Sequence, residues 1–261
     1  MPRLPHPSIQ TPLPSLSMVK IRLDQLLVKR GLCDSREQAK RLILAGEVIC
    51  SSLPSLKPGL NVSEDLDLTL KAKPRYVGRG GLKLEGALDH FPVSVKGKIC
   101  LDIGSSTGGF TDCLLQNEAK KVYAFDVGTN QLAWKLREDP RVISREQFNC
   151  RNLTREDVEE SVDLIVMDVS FISLTQLLQA AFATLQPDGD VICLIKPQFE
   201  VTRGQVGKGG IVRDETARQR AADKIRHHVT QELNKSWHGL MDSPISGTDG
   251  NQEFLAWLRH E

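Results

Sequence analysis

The sequence predicts an α/β protein: a mostly parallel, doubly wound sheet of seven strands with helices on both faces, preceded by a small α+β unit. Three observations carry that prediction. Lys98–Thr111 (KICLDIGSSTGGFT) joins an apolar run to a small-residue loop and a helix-like segment, the strand–turn–helix with which a parallel sheet presents a ligand site. Strand-like and helix-like stretches alternate from there to Lys196. The ends of five strand-like runs carry Asp102, Asp126, Asn149, Asp168 and Lys196, polar residues where ligands of such sheets sit.

Composition sets the limits. The 261 residues, 40% hydrophobic and 26% charged, suffice for one large domain and a small one. The net charge of +1 is unevenly spread: residues 18–80 hold 12 Lys/Arg against 7 Asp/Glu, and residues 81–261 hold 21 against 26. A basic module that meets a polyanion, joined to a near-neutral body, accounts for that division. The six cysteines form no C-x-x-C pair and the six histidines show no ligand spacing, so reduced thiols, a cytoplasmic protein and no metal site are expected.

Taken in order, residues 1–17 hold five prolines, which break up any signal-peptide core; a disordered tail is expected, with Met18 an alternative first residue. No stretch reaches the length of a membrane span. Residues 18–73 form the first ordered unit. Leu23, Leu26 and Leu27 share one face of a helix over Arg22–Arg30, and Ser35 with Gln38 three residues on opens a second, running to Gly46. Strand-like pieces follow at Glu47–Cys50 and Asp67–Lys71. Residues 74–81 read as a linker, because Pro74, three glycines and two arginines within PRYVGRGGL do not hold regular structure.

An amphipathic helix over Leu82–His90 opens the large domain, residues 82–261, with Lys83 in its first turn against the helix dipole. Strand Ile99–Ile103 leads to helix Phe110–Asn117, strand Lys121–Asp126 to helix Gln131–Arg137, and a third strand lies near Val142–Ser144. Strand Asp163–Asp168 leads to helix Leu174–Leu185, then come strand Asp190–Lys196 and a long helix, Thr216–Leu233. Trp237–Pro244 and Phe254–Arg259 complete seven strands.

The chemistry follows from the strand ends. Glycines in GSSTGG let backbone approach a ligand, and the helix N-terminus behind them offers free N–H groups. Asp126 is placed to accept hydrogen bonds from a ribose. The loop lacks the G-x-G-x-x-G spacing that seats a pyrophosphate, so an adenosyl ligand without phosphates, S-adenosylmethionine, fits better than a nicotinamide dinucleotide. Lys196, after the apolar run Val191–Ile195, is the sharpest functional candidate.

Two resemblances extend this reading. RLDQLLVKRGLCDSREQAKRLILAGEV and the later KPG (Lys57–Gly59) resemble the S-four type RNA-binding domain, with CSSLPSL (Cys50–Leu56) in place of its usual small turn. The likeness implies RNA contacts through Arg22, Lys29, Arg30, Arg36, Lys40 and Arg41, and through Arg75 and Arg79 of the following segment. From Tyr76 onward the blocks VGRGGLKLEGAL, DIGSSTGGFTDCLL, VMDVSFISL, LIKPQFE and GNQEFL resemble the FtsJ-like ribose methyltransferases, a Rossmann-like class I fold. Together the two halves resemble the hemolysin A family of ribosomal RNA 2′-O-methyltransferases.

That resemblance implies a catalytic tetrad of Lys83, Asp168, Lys196 and Glu253. It implies S-adenosylmethionine as cofactor, held by Asp102, Gly104, Ser105, Ser106, Thr107, Gly108, Gly109, Phe110, Asp126, Val127, Asn149 and Asp168. It also implies ribosomal RNA or its subunits as partner, a cytidine as target and a loop at Arg203–Asp214 facing substrate. A monomer that binds no membrane is expected. Lys196 is the candidate base for a 2′-hydroxyl; burial and Lys83 favour its neutral form, and Asp168 and Glu253 oppose it. In a weaker version the two lysines hold the hydroxyl and stabilise developing charge. Two rival readings stand beside it: a non-catalytic ribosome-assembly factor, separated by cofactor calorimetry and methyl transfer to RNA, and a membrane-lytic protein, separated by liposome leakage.

Overall fold

The computed structural model describes residues 20–71 and 74–260; the proline-rich stretch and Met18 lie outside them. The chain divides into two compact units between Lys73 and Pro74.

In the first unit β1 (Lys20–Arg22) leads into α1 (Leu23–Lys29) and α2 (Arg36–Leu44), followed by β2 (Val48–Ile49), β3 (Asn61–Ser63) and β4 (Thr69–Leu70). β1 pairs with β3 and β2 with β4, both antiparallel. Leu23, Leu26 and Leu27 bury the expected face of α1 against Ala39 and Ile43 of α2 and Val62 of β3. Ser35 caps α2 by accepting the Gln38 N–H at 3.2 Å, while Gln38 Oε1 takes the Asp34 N–H (3.1 Å) instead of Ser35's own. β1 and β3 were not anticipated. Three residues are too few to display an alternating pattern.

The second unit is built on a seven-stranded sheet. Its elements are α3 (Gly80–His90), β5 (Ile99–Ile103), α4 (Gly109–Gln116), β6 (Lys121–Phe125), α5 (Trp134–Arg137), β7 (Val142–Arg145), β8 (Val162–Met167), α6 (Leu178–Thr184), β9 (Leu185–Ile195), α7 (Pro197–Glu200), α8 (Glu215–His227), β10 (Ser236–Asp242) and β11 (Phe254–Arg259). The strand order is β10-β11-β9-β8-β5-β6-β7, parallel from β9 to β7 with β10 and β11 antiparallel. Both faces are covered: Leu101, Ile103, Ile165 and Met167 enter one core, and Cys100, Val122, Leu164 and Val166 the other. Alternate residues of a strand point to opposite faces, so one apolar run serves both cores. The chain runs β5–β6–β7 one way and then β8–β9 the other, so the crevice opens where β5 and β8 lie side by side.

Several expectations need correction. Residues 74–81 are not a loose linker. Tyr76 is buried among the core residues behind α3, the Val77 N–H donates to Asp112 at 2.8 Å, and Gly80 and Gly81 already belong to α3. Helix Gln131–Arg137 shrinks to the single turn of α5, because the amides of Asn130, Gln131 and Leu132 turn to Glu146 instead. Helix Leu174–Leu185 splits into a 3₁₀ turn and α6, and Leu185 opens β9, pairing with Val162 across a bulge. The long helix stops being α-helical at His227. A π turn follows, where Thr230 Oγ1 donates back to the Arg226 carbonyl.

Candidate active site

At the crevice the four charges expected to act together do line one cavity. It measures about 570 Å³ and is bordered by Lys83, Asp168, Lys196 and Glu253 together with Gly104, Ser105, Ser106, Thr107, Gly109 and Phe110. The charges are arranged as two ion pairs. Lys83, in the first turn of α3, puts Nζ 2.6 Å from Glu253 Oε2, with side-chain exposures of only 9% and 2%. A carboxylate this close explains a lysine at the positive end of a helix. Lys196 Nζ lies 2.7 Å from Asp168 Oδ1 and donates to Ser170 Oγ at 2.8 Å. Lys196 follows the apolar end of β9 (Val191–Ile195) and Asp168 follows the apolar end of β8 (Leu164–Met167), so the pair sits where two buried strands release the chain into the crevice.

The loop between β5 and α4 forms the floor. Gly104 has φ +84°, and a Cβ there would fall 2.6 Å from the Asp168 carbonyl oxygen, so only glycine lets β5 and β8 end side by side. A second cavity of about 430 Å³ adjoins the first and shares Gly104, Ser106, Asp168, Ser170 and Phe171 with it. Its walls are apolar (Ile103, Phe148, Ile172, Leu177), with Asp126, Val127 and Asn149 on the rim of β6 and β7. Asp126 accepts the Ser106 N–H (2.8 Å) on one oxygen and the Gly128 N–H (2.6 Å) on the other, leaving each oxygen a further lone pair. An apolar slot of nucleoside size beside a fixed carboxylate fits an adenosyl group, and the tetrad cavity lies directly alongside.

Comparison with known proteins agrees with this geometry. Residues 76–260 match the FtsJ-like methyltransferase family and residues 21–51 the S4 domain. The chain belongs to the FtsJ-like methyltransferase family. It is 47% identical over 244 residues to the "16S/23S rRNA (cytidine-2'-O)-methyltransferase TlyA" of Mycobacterium tuberculosis, covering 92% of this chain and 90% of that protein. It is 52% identical over 243 residues to the "Putative rRNA methyltransferase YqxC" of Bacillus subtilis, covering 92% and 85%. A solved structure titled "Putative hemolysin from Streptococcus thermophilus" is 48% identical, with a TM-score of 0.69 over 93% of this chain and 89% of that one. The methyl donor of an FtsJ-like methyltransferase is S-adenosylmethionine.

Two residues expected at the cofactor of this FtsJ-like methyltransferase lie elsewhere. Gly108 borders neither cavity; it has φ +96°, and the space where a Cβ would stand is filled by Leu136 and Leu132. Asp102 is fully buried beneath the loop, where Oδ2 accepts the Thr111 hydroxyl at 2.6 Å and Oδ1 has no partner among the described residues. Burial pushes its carboxyl from 3.8 up to about 7; the Thr111 hydrogen bond opposes the rise and the Asp168 charge adds to it. The folded state therefore keeps a proton that the unfolded chain has released between those values, so stability declines as pH rises through that window and stays reduced above it. Asp102→Asn keeps the acceptor for Thr111 and removes the charge. We expect it to raise the melting temperature at about pH 8 and to change it little at about pH 4, in paired thermal melts.

The RNA candidates divide between the units. Arg22 and Arg36 share the buried Asp24, at 2.9 and 3.4 Å, and this holds the Asp24 carboxyl down at about 2, chiefly through the Arg22 hydrogen bond. Lys29 pairs with Glu64, Arg30 donates to the Glu64 carbonyl, and Lys40 pairs with Glu37. Arg41 is exposed on α2. Arg75 and Arg79 lie in the second unit instead: Arg75 pairs with Glu85 over the Tyr76 ring, and Arg79 borders the tetrad cavity, donating to Thr248 at 3.2 Å. Sequence reasoning missed Phe171, which borders both cavities, is 90% exposed and holds φ +65°. Its place within VMDVSFISL was a signal, but an exposed aromatic cannot be told from a buried one by composition.

Proposed function

We propose that this methyltransferase transfers a methyl group to the ribose 2′-hydroxyl of a cytidine in ribosomal RNA, in the cytoplasm. The observation that carries the reading is the pair of ion pairs lining one cavity alongside a nucleoside-sized slot. Asp126, Val127 and Asn149 would hold the adenosine of the cofactor, and the Gly104–Thr107 loop its amino-acid end. Bound there, S-adenosylmethionine supplies a sulfonium-activated methyl group. Lys196 Nζ donates to Ser170 Oγ at 2.8 Å and lies 2.7 Å from Asp168 Oδ1, so an uncharged Nζ would keep a lone pair for the 2′-hydroxyl. As the ribose oxygen is methylated, Lys196 Nζ would take the proton that oxygen gives up. The new ammonium lies beside the Asp168 carboxylate, an interaction stronger after proton transfer than before, and so one that favours the transition state. Lys83, fixed by Glu253, adds positive charge where oxygen develops negative charge.

Phe171 suits a base lifted out of its stack: an exposed ring at the cavity mouth, 5.2 Å from the Phe199 ring, in a backbone conformation that costs energy to hold. The first unit would grip the RNA backbone. Because Arg22 and Arg36 also neutralise Asp24, the cleaner probes of that grip are Lys40 and Arg41. Lys40→Glu with Arg41→Glu is expected to weaken RNA binding and flatten its salt dependence by about two ions' worth, with cofactor affinity unchanged, as read by RNA titrations at several salt concentrations. The function itself is tested by transfer of tritiated methyl to ribosomal RNA with mass-spectrometric mapping of ribose methylation. Cofactor and RNA binding without transfer would reject the enzymatic reading.

A further inference from the structure

The wall of the nucleoside-sized slot is held by a carboxylate that takes no part in the chemistry. Glu146, just past β7, accepts three consecutive backbone N–H groups: Asn130 at 2.6 Å, Gln131 at 3.0 Å and Leu132 at 3.4 Å. Arg137, on the turn that follows, also donates to it and reaches the Leu132 carbonyl at 3.0 Å. The Glu146 side chain is 15% exposed, and Asn130 holds φ +53° to bring its amide into the fan. Three adjacent amides on one carboxylate are an anion nest filled by a residue of the same chain.

The segment gathered in this way touches the cofactor loop at three places. Asp126, where it begins, takes the Ser106 N–H; the Ala133 N–H donates to the Thr107 carbonyl at 3.1 Å; and Leu132 with Leu136 fills the space over Gly108. Behind it, the Phe148 N–H donates to the Asp126 carbonyl (2.9 Å) and the Gln147 N–H to the Gly128 carbonyl (3.0 Å), so residues 126–128 are braced from the Glu146 side as well. We infer that Glu146 is a positioning residue for cofactor binding: it shapes segment 126–133, and through it the glycine loop, without touching the ligand. The inference rests on the methyltransferase reading of the slot.

The test compares wild type with Glu146→Gln, Glu146→Asp and Arg137→Gln. Calorimetric S-adenosylmethionine affinity is measured first, and then kcat and cofactor KM on ribosomal RNA. Glutamine offers one acceptor oxygen where three amides converge, and aspartate is one methylene short. Each should weaken cofactor affinity about 10- to 100-fold and raise cofactor KM in parallel, while kcat at saturating cofactor stays within about twofold. Arg137→Gln leaves the three amides their acceptor and should keep affinity within about threefold. A wild-type protein that fails to bind S-adenosylmethionine rejects the reading of the slot itself. A wild type that binds, with Glu146→Gln and Glu146→Asp binding as tightly, overturns the positioning role. So does a fall in kcat equal to the loss of affinity, which a merely destabilised fold would give.

Discussion

Lys196→Ala is expected to lower kcat by about a hundred- to ten-thousand-fold while S-adenosylmethionine affinity and RNA affinity stay within about twofold of wild type. The side chain stands only 12% exposed at the end of β9, held by Asp168 at 2.7 Å and Ser170 at 2.8 Å, and it borders the tetrad cavity but not the nucleoside-sized slot. Removing it deletes the acceptor for the 2′-hydroxyl proton and leaves the slot intact. Lys196→Arg should not rescue, because a guanidinium offers no lone pair. Single-turnover kinetics with calorimetry decide the matter. Near wild-type turnover for the alanine variant would remove Lys196 from the chemistry.

Lys83→Ala should be costly to the fold as well as to activity. Glu253 is 2% exposed and its carboxylate is held by Lys83 Nζ at 2.6 Å, so the variant strands a negative charge in a site closed to all but the cavity. Breaking a buried pair from one side costs about 3–5 kcal/mol, a fall of roughly 6–20 °C in the melting temperature of a domain this size. Lys83→Met combined with Glu253→Gln removes both charges together and should recover most of that stability without recovering methyl transfer. A double-mutant cycle on melting temperature and turnover separates the structural contribution from the catalytic one. If Lys83→Ala melts like wild type, the pair does not hold the fold.

These two lysines also show how far the sequence could be read. Lys196 was legible because a charge directly after five apolar or neutral residues, Val191–Ile195, stands out at the end of a buried strand. Lys83 was legible only as an oddity, a cation at a helix N-terminus. Its partner lies 170 residues away, immediately before β11, and no local pattern links them. Asp102 and Asp126 looked alike, each an acid closing a strand-like run before a glycine. One takes a hydroxyl from α4 in the buried interior, and the other takes loop amides at the rim of a slot. Glu146 carried no signal, since backbone amides leave no trace in composition.

The amino-acid order alone determined the α/β class, the strand–loop–helix at Lys98–Thr111, the placing of charges after apolar runs and the likeness to FtsJ-like methyltransferases. Each of these is written within a few residues, in the period of burial or in a contiguous motif. The tertiary structure alone decided which charge pairs with which, that Asp102 is sealed in and holds its proton to about pH 7, that residues 74–81 pack against the sheet domain, and that Phe171 stands exposed at the cavity mouth. Those outcomes depend on distances between segments far apart in the chain and on the water excluded between them, and neither quantity exists until the sheet has closed.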